Sequence, residues 1–389
     1  MSNCALNFAF ANEEESYVIK EGACGTLTKP SITDQFLTVG PLDFEQPQEF
    51  NDDEQIRASA SRLSPLKGRK NPGTLSMNTY VKPSGDLGVA PEADVLFDCL
   101  MGDKQVNPGV SVVYTLTDQL DSCSIWTKKG HTVFAFRGTT IGNAEFGISG
   151  DTIAGVGWTA AYMEQGYAGT VVCNDTCGIG KGTIQLPSKA AQLYTEGMFV
   201  IVGDDDNSDA GYELTDVNYT NDTITISPGL VTDQGVNPEI TPWWPASGSE
   251  LGTPVHGKLG MVTIGGADAV VLTANVTMAN NIKYYTDEKN NVWTAERFGR
   301  PKFREIDGNI EFFFMERGPS YFYRAEYQVS DALVIPAGNV AGYIMQIDIP
   351  YAEYGTPKVA GDEEFRMTVD YKAIADSSDL NGEMTITFK

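Results

Sequence analysis

Short motifs in this sequence resemble sites for metal or phosphate chemistry, but each lacks a residue that the chemistry requires. Cys173 and Cys177 have the loose spacing of a metal-binding pair, yet no second Cys pair or His pair follows to complete the four ligands of a zinc site. Gly178-Ile-Gly-Lys181 resembles a phosphate-binding loop, but Gly182 follows the lysine where the motif needs Ser or Thr. We therefore predict no metal and no cofactor, and leave free thiols and a disulfide formed late as alternatives for the two cysteines.

An acidic run further along the chain resembles a calcium-binding loop. Asp205, Asn207 and Asp209 have the spacing of calcium ligands, but Gly211 stands at the seventh position of the loop, and a calcium loop needs glycine at the sixth. Asp216 occupies the twelfth position, where a calcium loop has Glu. The pattern therefore favours a solvated acidic turn between two strands.

Nucleophilic catalysis has no support in the sequence. The chain has two histidines, His131 and His256, and no Gly-x-Ser-x-Gly motif beside either of them. A histidine that follows a glycine at a strand turn, as His131 follows Gly130, is usually solvated. We expect a protein that is not an enzyme and has no catalytic residues.

Composition indicates a β-rich protein that does not bind nucleic acid tightly. Of the 389 residues, 41% are hydrophobic, 40 are Gly and 17 are Tyr. The β-branched and aromatic residues recur in short runs that Gly, Asn, Asp and Pro interrupt, as in strands and turns. The net charge of −25 opposes contact with phosphates, and no basic stripe is present. An acidic surface of this kind would still let DNA slide past without binding.

The sequence contains no recognisable targeting or membrane segment. Its first residues lack the basic region and the apolar core of a signal peptide. No stretch approaches the length of apolar residues that crosses a bilayer. The six cysteines are too sparse for a disulfide framework. We expect a soluble protein that is made in the cytosol and has no membrane partner.

Alternation of apolar and polar residues predicts most of the elements. Strands with one buried face are predicted at 343–351, 364–372, 270–278, 74–81 and 132–137. In the first of these, Tyr343, Met345, Ile347, Ile349 and Tyr351 fall on the predicted apolar face.

Two segments have the signals of short helices. Pro91 and Gly102 suit the start and the stop of a helix over 91–101. A second helix is expected over 320–328, after Pro319. The class is therefore mainly β with short helices.

Two long polar segments, 51–73 and 280–303, are predicted to be arms that reach away from compact domains. Each follows a strand, contains a Gly-Arg pair near its end, and leads into another strand and then a predicted helix. The pairs Gly68-Arg69 and Gly299-Arg300 are 231 residues apart. The same order of elements therefore occurs twice, as a weak internal repeat, although two β domains could share this order by chance.

The segment between these copies has a different composition. Residues 166–250 contain 12 acidic residues and 2 lysines, and their pattern suggests four or five short strands in a small barrel or sandwich. We predict a first β-sandwich or barrel domain over 1–165, an inserted small β domain over 166–250, and a second β-sandwich or barrel domain over 251–389. Each of the outer domains is expected to have a flanking helix and a long arm.

Several stretches resemble the tail tube proteins (major tail proteins) of long-tailed, non-contractile, siphovirus-type bacteriophages. They are FAFANEEESYVIKEGACGT near the N-terminus, the arm end LKGRKNPG before TLSMNTYV, the run from Ser124 to Met163, and GRPKFREIDGNIEFFFMER. The resemblance covers most of the chain and rests on diffuse motifs. It implies tail-tube-type β-sandwiches, six to a ring, whose strands join those of their neighbours into a closed barrel.

The resemblance also implies the partners and the location. Rings would stack through their arms and N-termini around a lumen that carries a tape-measure protein and then conducts DNA without specific binding. Tail terminator and baseplate or tip proteins would cap the tube in the virion, after assembly in the host cytoplasm. If the repeat is real, three chains form one pseudo-sixfold ring, and if it is not, six chains are needed. The inserted domain would then decorate the outside of the tube.

Two sets of side chains follow from this expectation. The inter-ring interface is predicted to use cations of the two arms: Arg57, Arg62, Lys67, Arg69, Lys70, Arg297, Arg300 and Lys302. Lumen-facing positions are predicted among polar strand faces and one acidic run: Asp52, Asp53, Glu54, Gln346, Asp348 and Asp370. For both sets the alternative is an ordinary solvated loop or outer surface.

A carbohydrate-binding or adhesive β-sandwich virion protein is the alternative function. It would need exposed aromatic side chains, which Trp243 and Trp244 could supply. A β-sandwich hydrolase is a third hypothesis, and the shortage of histidine and of any nucleophile motif argues against it.

Overall fold

The computed structural model describes residues 11–52, 65–257, 260–286, 294–315, 318–361 and 364–389. Antiparallel strands dominate these ranges, so the expectation of a mainly β protein is confirmed. Helix α1 is Asp94–Met101, and helix α2 is Pro319–Glu326. Gly102 ends α1 with φ of +99°, as predicted, but α1 begins at Asp94 and not at Pro91. The second helix was predicted over 320–328, and α2 instead includes Pro319 in its first turn and ends at Glu326. Short 3-10 helices cover Ala11–Glu13, Ile32–Asp34 and Ala190–Leu193.

The first part of the chain forms twelve strands. They are β1 (Glu15–Lys20), β2 (Gln35–Phe36), β3 (Asp43–Glu45), β4 (Gln48–Asn51), β5 (Leu66–Lys70), β6 (Gly73–Tyr80), β7 (Gly102–Asn107), β8 (Ser111–Leu116), β9 (Cys123–Lys129), β10 (Thr132–Ser149), β11 (Gly155–Tyr162) and β12 (Glu164–Ala168).

The middle segment forms eight short strands, more than the four or five that the sequence predicted. They are β13 (Val171–Val172), β14 (Thr176–Cys177), β15 (Thr183–Gln185), β16 (Phe199–Val202), β17 (Tyr212–Asn218), β18 (Thr223–Ser227), β19 (Gly235–Val236) and β20 (Glu239–Pro242). Six of them pair in the order β13-β20-β16-β17-β18-β15.

The last part of the chain forms the remaining described strands. They are β21 (Val262–Ile264), β22 (Ala267–Ala269), β23 (Val271–Ala279), β24 (Lys283–Tyr285), β25 (Arg297–Gly299), β26 (Glu305–Phe313), β27 (Asp331–Ala337), β28 (Met345–Tyr354), β29 (Lys358–Ala360), β30 (Arg366–Ala373) and β31 (Thr385–Phe388).

One eight-stranded antiparallel sheet joins the first and last parts of the chain. Its order is β3-β6-β11-β10-β23-β26-β30-β29. The first four strands belong to the first part and the last four to the last part, and they meet where β10 pairs with β23 from Asn143 to Ser149. We call this the main sheet.

A second layer of strands covers one face of the main sheet. It has the orders β2-β1-β9-β10-β12 and β22-β21-β27-β28-β31-β8-β7. The long strands β10 and β28 contribute to both layers, because each pairs with second-layer strands first and with main-sheet strands later. A single apolar core lies between the layers and includes Leu75, Phe146, Val276, Ile347 and Val369.

The pairings repeat in the two halves of this body, in the element order that the sequence predicted. β1, β2, β3, β6, β9, β10, β11 and β12 correspond in turn to β21, β22, β23, β26, β27, β28, β30 and β31. For example, β9 pairs with β10 as β27 pairs with β28, and β6 pairs with β11 as β26 pairs with β30. The hairpin β7–β8 is an addition to the first half, and β8 pairs with β31 of the second half. Because the halves share one sheet and one core, the division at residues 165 and 250 stays a prediction.

The middle sheet packs on the outer side of the second layer. Its own apolar core includes Tyr17, Trp126, Val133 and Ala135, which β1, β9 and the first part of β10 present on their outer faces. The middle segment therefore lies on the opposite side of the second layer from the main sheet.

The predicted strands exist, with shifted limits and faces. Tyr343 and Tyr351 were predicted on the buried face and are exposed. The register of β28 shifts between Ile349 and Ala352, so Ala352 becomes buried next to the exposed Tyr351. Pro350 lies at this bulge, where a residue without an N–H is tolerated. The strand predicted at 132–137 is only the first part of β10, since the Gly-rich continuation does not have the composition of a strand.

Candidate functional site

The main sheet has one face on the core and one face in solvent, and the exposed face is almost free of apolar side chains. Across the strands, neighbouring exposed positions form rows of small polar residues. One row runs through Asn78, Gly157, Glu145, Thr277, Asp307 and Lys372. Because paired residues point to the same side of a sheet, this row and its neighbours form one continuous polar surface. We call it the polar face.

Carboxylates outnumber cations on the polar face. The acidic positions are Asp43, Glu45, Glu145, Glu305, Asp307, Glu311 and Asp370, and the basic positions are Lys358, Arg366 and Lys372. Two of the cations are paired: Lys358 Nζ lies 3.4 Å from Asp370 and Arg366 Nη1 lies 3.4 Å from Glu311. The remaining charge on this surface is negative, so the surface repels a polyanion.

Glycines flatten the centre of the polar face. Gly147, Gly155 and Gly157 lie side by side on β10 and β11 and, with Asn275, line an open depression of about 520 Å³. A Cβ atom added to Gly147 would meet nothing within 4 Å, so the close approach of another chain segment does not explain this glycine. Apart from Tyr80, which pairs with Gly155 and also lines the depression, the exposed side chains here are short and polar.

Both outer edges of the main sheet end in short exposed strands. Although the strands wrap around a common core like a barrel, β3 pairs only with β6 and β29 pairs only with β30 among the described strands. Asp43 and Glu45 of β3 and all three residues of β29 are exposed. Unpaired strand edges are templates for pairing with another chain.

Both predicted arms contain a β-hairpin, β4–β5 in the first and β24–β25 in the second. The arms contact each other, because Arg69 Nη1 donates a hydrogen bond to Thr286 Oγ1 at 2.7 Å. Phe50, Leu66 and Phe303 are exposed on or beside them. Exposed apolar side chains of this size on projecting hairpins are typical of contact surfaces.

The predicted arm cations have different environments. Lys67, Arg297 and Lys302 are exposed, and Lys70 Nζ lies 3.9 Å from Glu164. Arg57 and Arg62 lie outside the described residues, as do Asp53 and Glu54 of the predicted lumen set.

Arg300, which matches Arg69 in the repeat, makes its hydrogen bonds inside the molecule. It donates a hydrogen bond to Asn280 Oδ1 at 3.0 Å, and Asn280 donates in turn to the Leu100 carbonyl at 2.9 Å. Burial lowers the pKa of Arg300, and the nearby Arg304 lowers it further. The structure therefore ties Arg300 to the packing of the second arm against α1.

The predicted lumen residues do not share one surface. Asp370 lies on the polar face, and Asp52 is exposed at the start of the first arm. Gln346 and Asp348 lie on the outer side of β28 in the second layer, where Gln346 Nε2 donates to both carboxylate oxygens of Asp348 at 2.7 and 2.9 Å. Burial raises the pKa of Asp348.

Sequence reasoning missed Glu145 and Asp307 on the polar face. For Asp307 a signal existed, since Glu305 and Asp307 alternate with the buried Ile306. For Glu145 the signal was hidden, because glycines at positions 138, 142 and 147 interrupt the pattern of the strand.

The motifs that resembled chemical sites lie in the middle segment, outside its six-stranded sheet. The Cys173 and Cys177 sulfurs lie 3.8 Å apart without a bond, and burial raises the pKa of Cys177 to about 12. Asp205 accepts backbone N–H groups of Asn207 at 3.2 Å and Thr232 at 2.8 Å, and these bonds lower its pKa against the effect of burial. No cluster of three or more metal-ligating side chains occurs in the ranges that the structure describes.

Of the two adjacent tryptophans, Trp243 packs within the middle segment, and Trp244 attaches that segment to the second layer. Trp243 is 6% exposed and donates to the Asp209 carbonyl, and Trp244 packs edge-on against Tyr17 with ring centroids 5.0 Å apart. Trp244 also donates to a carboxylate oxygen of Glu15. The carbohydrate-binding hypothesis therefore lacks an exposed aromatic platform at this pair.

Both described α-helices are eight residues long, and no helix in the described ranges is long and apolar enough to cross a membrane. Comparison with known proteins finds neither a family model nor a curated relative that matches this chain.

Proposed function

We propose that this chain is a structural subunit, without catalytic activity, of the tail tube of a long-tailed, non-contractile bacteriophage. The observation that carries the proposal is the main sheet, in which two four-stranded halves of matching order stand side by side and the outer edges are left exposed. The junction of β10 with β23 is a template for the contact between chains: the edge formed by the end of β28 and by β29, which both pair with β30, would pair in one chain with β3 of the next.

If neighbouring chains pair edge to edge in this way, the size of the closed sheet favours three chains per ring. Three copies of an eight-stranded sheet give about 24 strands, and at a spacing of about 4.8 Å the circumference is about 115 Å before strand tilt widens it. The corresponding diameter, about 37 Å, exceeds the width of a DNA duplex. A closed ring would also remove the exposed strand edges, which a stable soluble sheet must protect.

The polar face would line the lumen, because the other face of the main sheet holds the core. Its excess of carboxylates and its many short polar side chains suit a channel that conducts DNA and a tape-measure protein without retaining them. The lumen set would then include Glu145, Asp307 and Asp370, while Gln346 and Asp348 would lie away from the channel.

The other parts fit the same arrangement. The middle segment lies on the outer side of the second layer and would decorate the tube exterior. The two hairpin arms, with exposed Phe50, Leu66 and Phe303, would contact the next ring, and terminator or tip proteins would replace that ring at the ends.

Electron microscopy of the purified full-length chain tests the proposal. We expect tubes built of rings with three copies each, and a cryo-EM map should place β29 of one copy beside β3 of another. A chain that stays a monomer at high concentration would overturn the proposal, and rings of six copies would overturn the shared-sheet closure.

A further inference from the structure

An apolar groove lies beside α2 in the second half of the chain. It has a volume of about 890 Å³, and α2, the end of β26 and the hairpin β21–β22 form its walls. Its lining includes Ile264, Val270, Phe312, Met315 and Tyr321. A groove of this size with so much apolar surface is suited to an apolar chain segment.

The chain itself occupies part of the corresponding groove of the first half, where a cavity of about 530 Å³ remains. Residues 246–256, which lead from the middle sheet to β21, run between α1, the end of β6 and the pair β1–β2. Val255 N donates to the Val81 carbonyl at 3.1 Å, and Ala154 N donates to the Val255 carbonyl at 2.9 Å. Gly248 lies so close to Ile32 that an added Cβ would be 2.5 Å from its carbonyl oxygen. We call residues 246–256 the linker.

The two grooves are equivalent in backbone detail. Val81 N donates to Ala154 O at 2.9 Å at the end of β6, and Phe314 N donates to Phe365 O at 2.8 Å at the end of β26. In the first half, the linker residue Val255 is hydrogen-bonded to both Val81 and Ala154. Among the hydrogen bonds between described residues, none joins a third segment to the pair Phe314 and Phe365.

Exposure separates the covered groove from the uncovered one. Val81 is 2% exposed and Ala154 is 0% exposed, whereas Phe314 is 39% exposed and Phe365 is 65% exposed. Large aromatic side chains at such exposure indicate that a partner segment is missing from the single chain.

The repeat identifies the missing segment. The linker precedes β21, the first strand of the second half, and covers the groove of the half before it. The segment that precedes β1, the first strand of the first half, contains residues 1–10, MSNCALNFAF. Phe8 precedes the start of β1 by seven residues, as Val255 precedes the start of β21. This segment has no charged side chain, and Leu6, Phe8 and Phe10 alternate with Asn7 and Ala9.

We propose that residues 1–10 of a second copy of this chain dock into the groove beside α2, as an added strand that occupies the place of the linker. The inference rests on the proposed ring, in which the first half of one copy follows the second half of another. The occupant is a second copy because the linker already takes the corresponding strand position beside the chain's own β1. Backbone hydrogen bonds would fix the segment, and its alternate apolar side chains would enter the groove.

Photo-crosslinking of the full-length chain tests this docking. Phe8 is replaced by benzoylphenylalanine, and chains of normal and heavy isotope content are mixed so that crosslinks between copies are distinguished from those within one copy. We expect crosslinks between copies that map to residues 264–270 or 312–324. Val270→Asp should reduce them at least tenfold, because it places an unpaired carboxylate in the groove. The matched control is Val340→Asp, since Val340 is 58% exposed, Val270 is 56% exposed, and Val340 is not among the groove residues.

Microscopy of the same samples separates the two proposals. Tubes whose crosslinks lie within one copy, or outside the groove, would overturn the docking and leave the tube proposal standing. Groove crosslinks between copies that form no rings or tubes would support the docking and overturn the tube proposal. Absence of any crosslink between copies, in chains with the circular dichroism of the unmodified protein, would also overturn the docking.

Discussion

The two halves of the main body share an order of elements but differ in what covers them. In the first half, the linker occupies part of the groove beside α1, and the middle sheet covers the outer side of β10. In the second half, the groove beside α2 is open, and the outer side of β28 carries the half-buried polar residues Gln346 and Asp348. The covered half therefore displays, within one chain, the contacts that the uncovered half lacks.

This difference teaches where the partners of the second half should bind. The outer side of β28 is polar, so we expect no equivalent of the middle sheet to bind there. Apolar positions that are exposed, such as Phe314, Phe365 and Val270, have the character of an interface. The exposed edge strands β3 and β29 can be interpreted in the same way, because the pairing of β10 with β23 inside the chain displays the kind of contact that these edges lack.

The largest expected effect is the loss of assembly when an outer edge is blocked. Val359→Pro removes an N–H group from β29 and should abolish ring and tube formation, because proline cannot complete a strand ladder. Negative-stain microscopy and sedimentation measure the assembly. The matched control is Val172→Pro, on the edge strand β13 of the middle sheet, which should still form tubes. Tubes of normal yield from Val359→Pro would break the comparison between edge and junction.

A second large effect is expected from reversing charge on the polar face. The double variant Glu145→Lys, Asp307→Lys should form tubes that bind DNA at low salt and release it as salt rises, because new cations would face the phosphates. An electrophoretic shift of DNA fragments at several salt concentrations is the measurement. Asp233→Lys, on the exposed surface of the middle segment, is the control. DNA fragments that are confined to the lumen should not bind to tubes of this variant. If the double variant does not retain DNA, the polar face is not the lumen.

How far the sequence predicted this molecule depends on the range of the interactions involved. Alternation located most strands, and local signals at Pro319 and Gly102 located the helices. The pairing of β10 with β23 joins residues more than a hundred positions apart, and nothing local encodes that register. Predicting the site was harder, because Arg300 and Lys302 look alike in the sequence although one is partly buried on Asn280 and the other is exposed.

The environment of Arg300 leads to an intermediate effect on stability. Asn280 is fully buried and donates to the carbonyls of Leu100 and Ile141, so it joins the second arm to α1 and β10 of the first half. Asn280→Ala should lower the free energy of unfolding by about 2–3 kcal/mol, because buried carbonyls and Arg300 would lose their partner. Urea unfolding measures the change, and Asn78→Ala on the exposed polar face should leave it within about 0.5 kcal/mol. A small effect for Asn280→Ala would mean that the arm is attached by other contacts.

The smallest effect concerns the outer side of β28, where the second half has no cover. Burial raises the pKa of Asp348 above the ordinary value of an aspartate, so its ionised form is less stable in the folded chain than in the unfolded one. The folded state therefore loses stability as pH rises through the raised pKa, and at neutral pH Asp348 is slightly destabilising. Asp348→Asn should increase the free energy of unfolding at pH 7 by a fraction of 1 kcal/mol, since solvent screens this partly exposed group, and the gain should shrink toward pH 4.

Gln346→Ala should do the opposite and destabilise more at pH 7 than at pH 4, because the Gln346 amide donates to the ionised carboxylate. Urea unfolding midpoints of the three proteins between pH 4 and 7 measure both changes. If Asp348→Asn gained as much stability at pH 4 as at pH 7, the carboxylate would not be the cause, and the polar outer side of β28 would need another explanation.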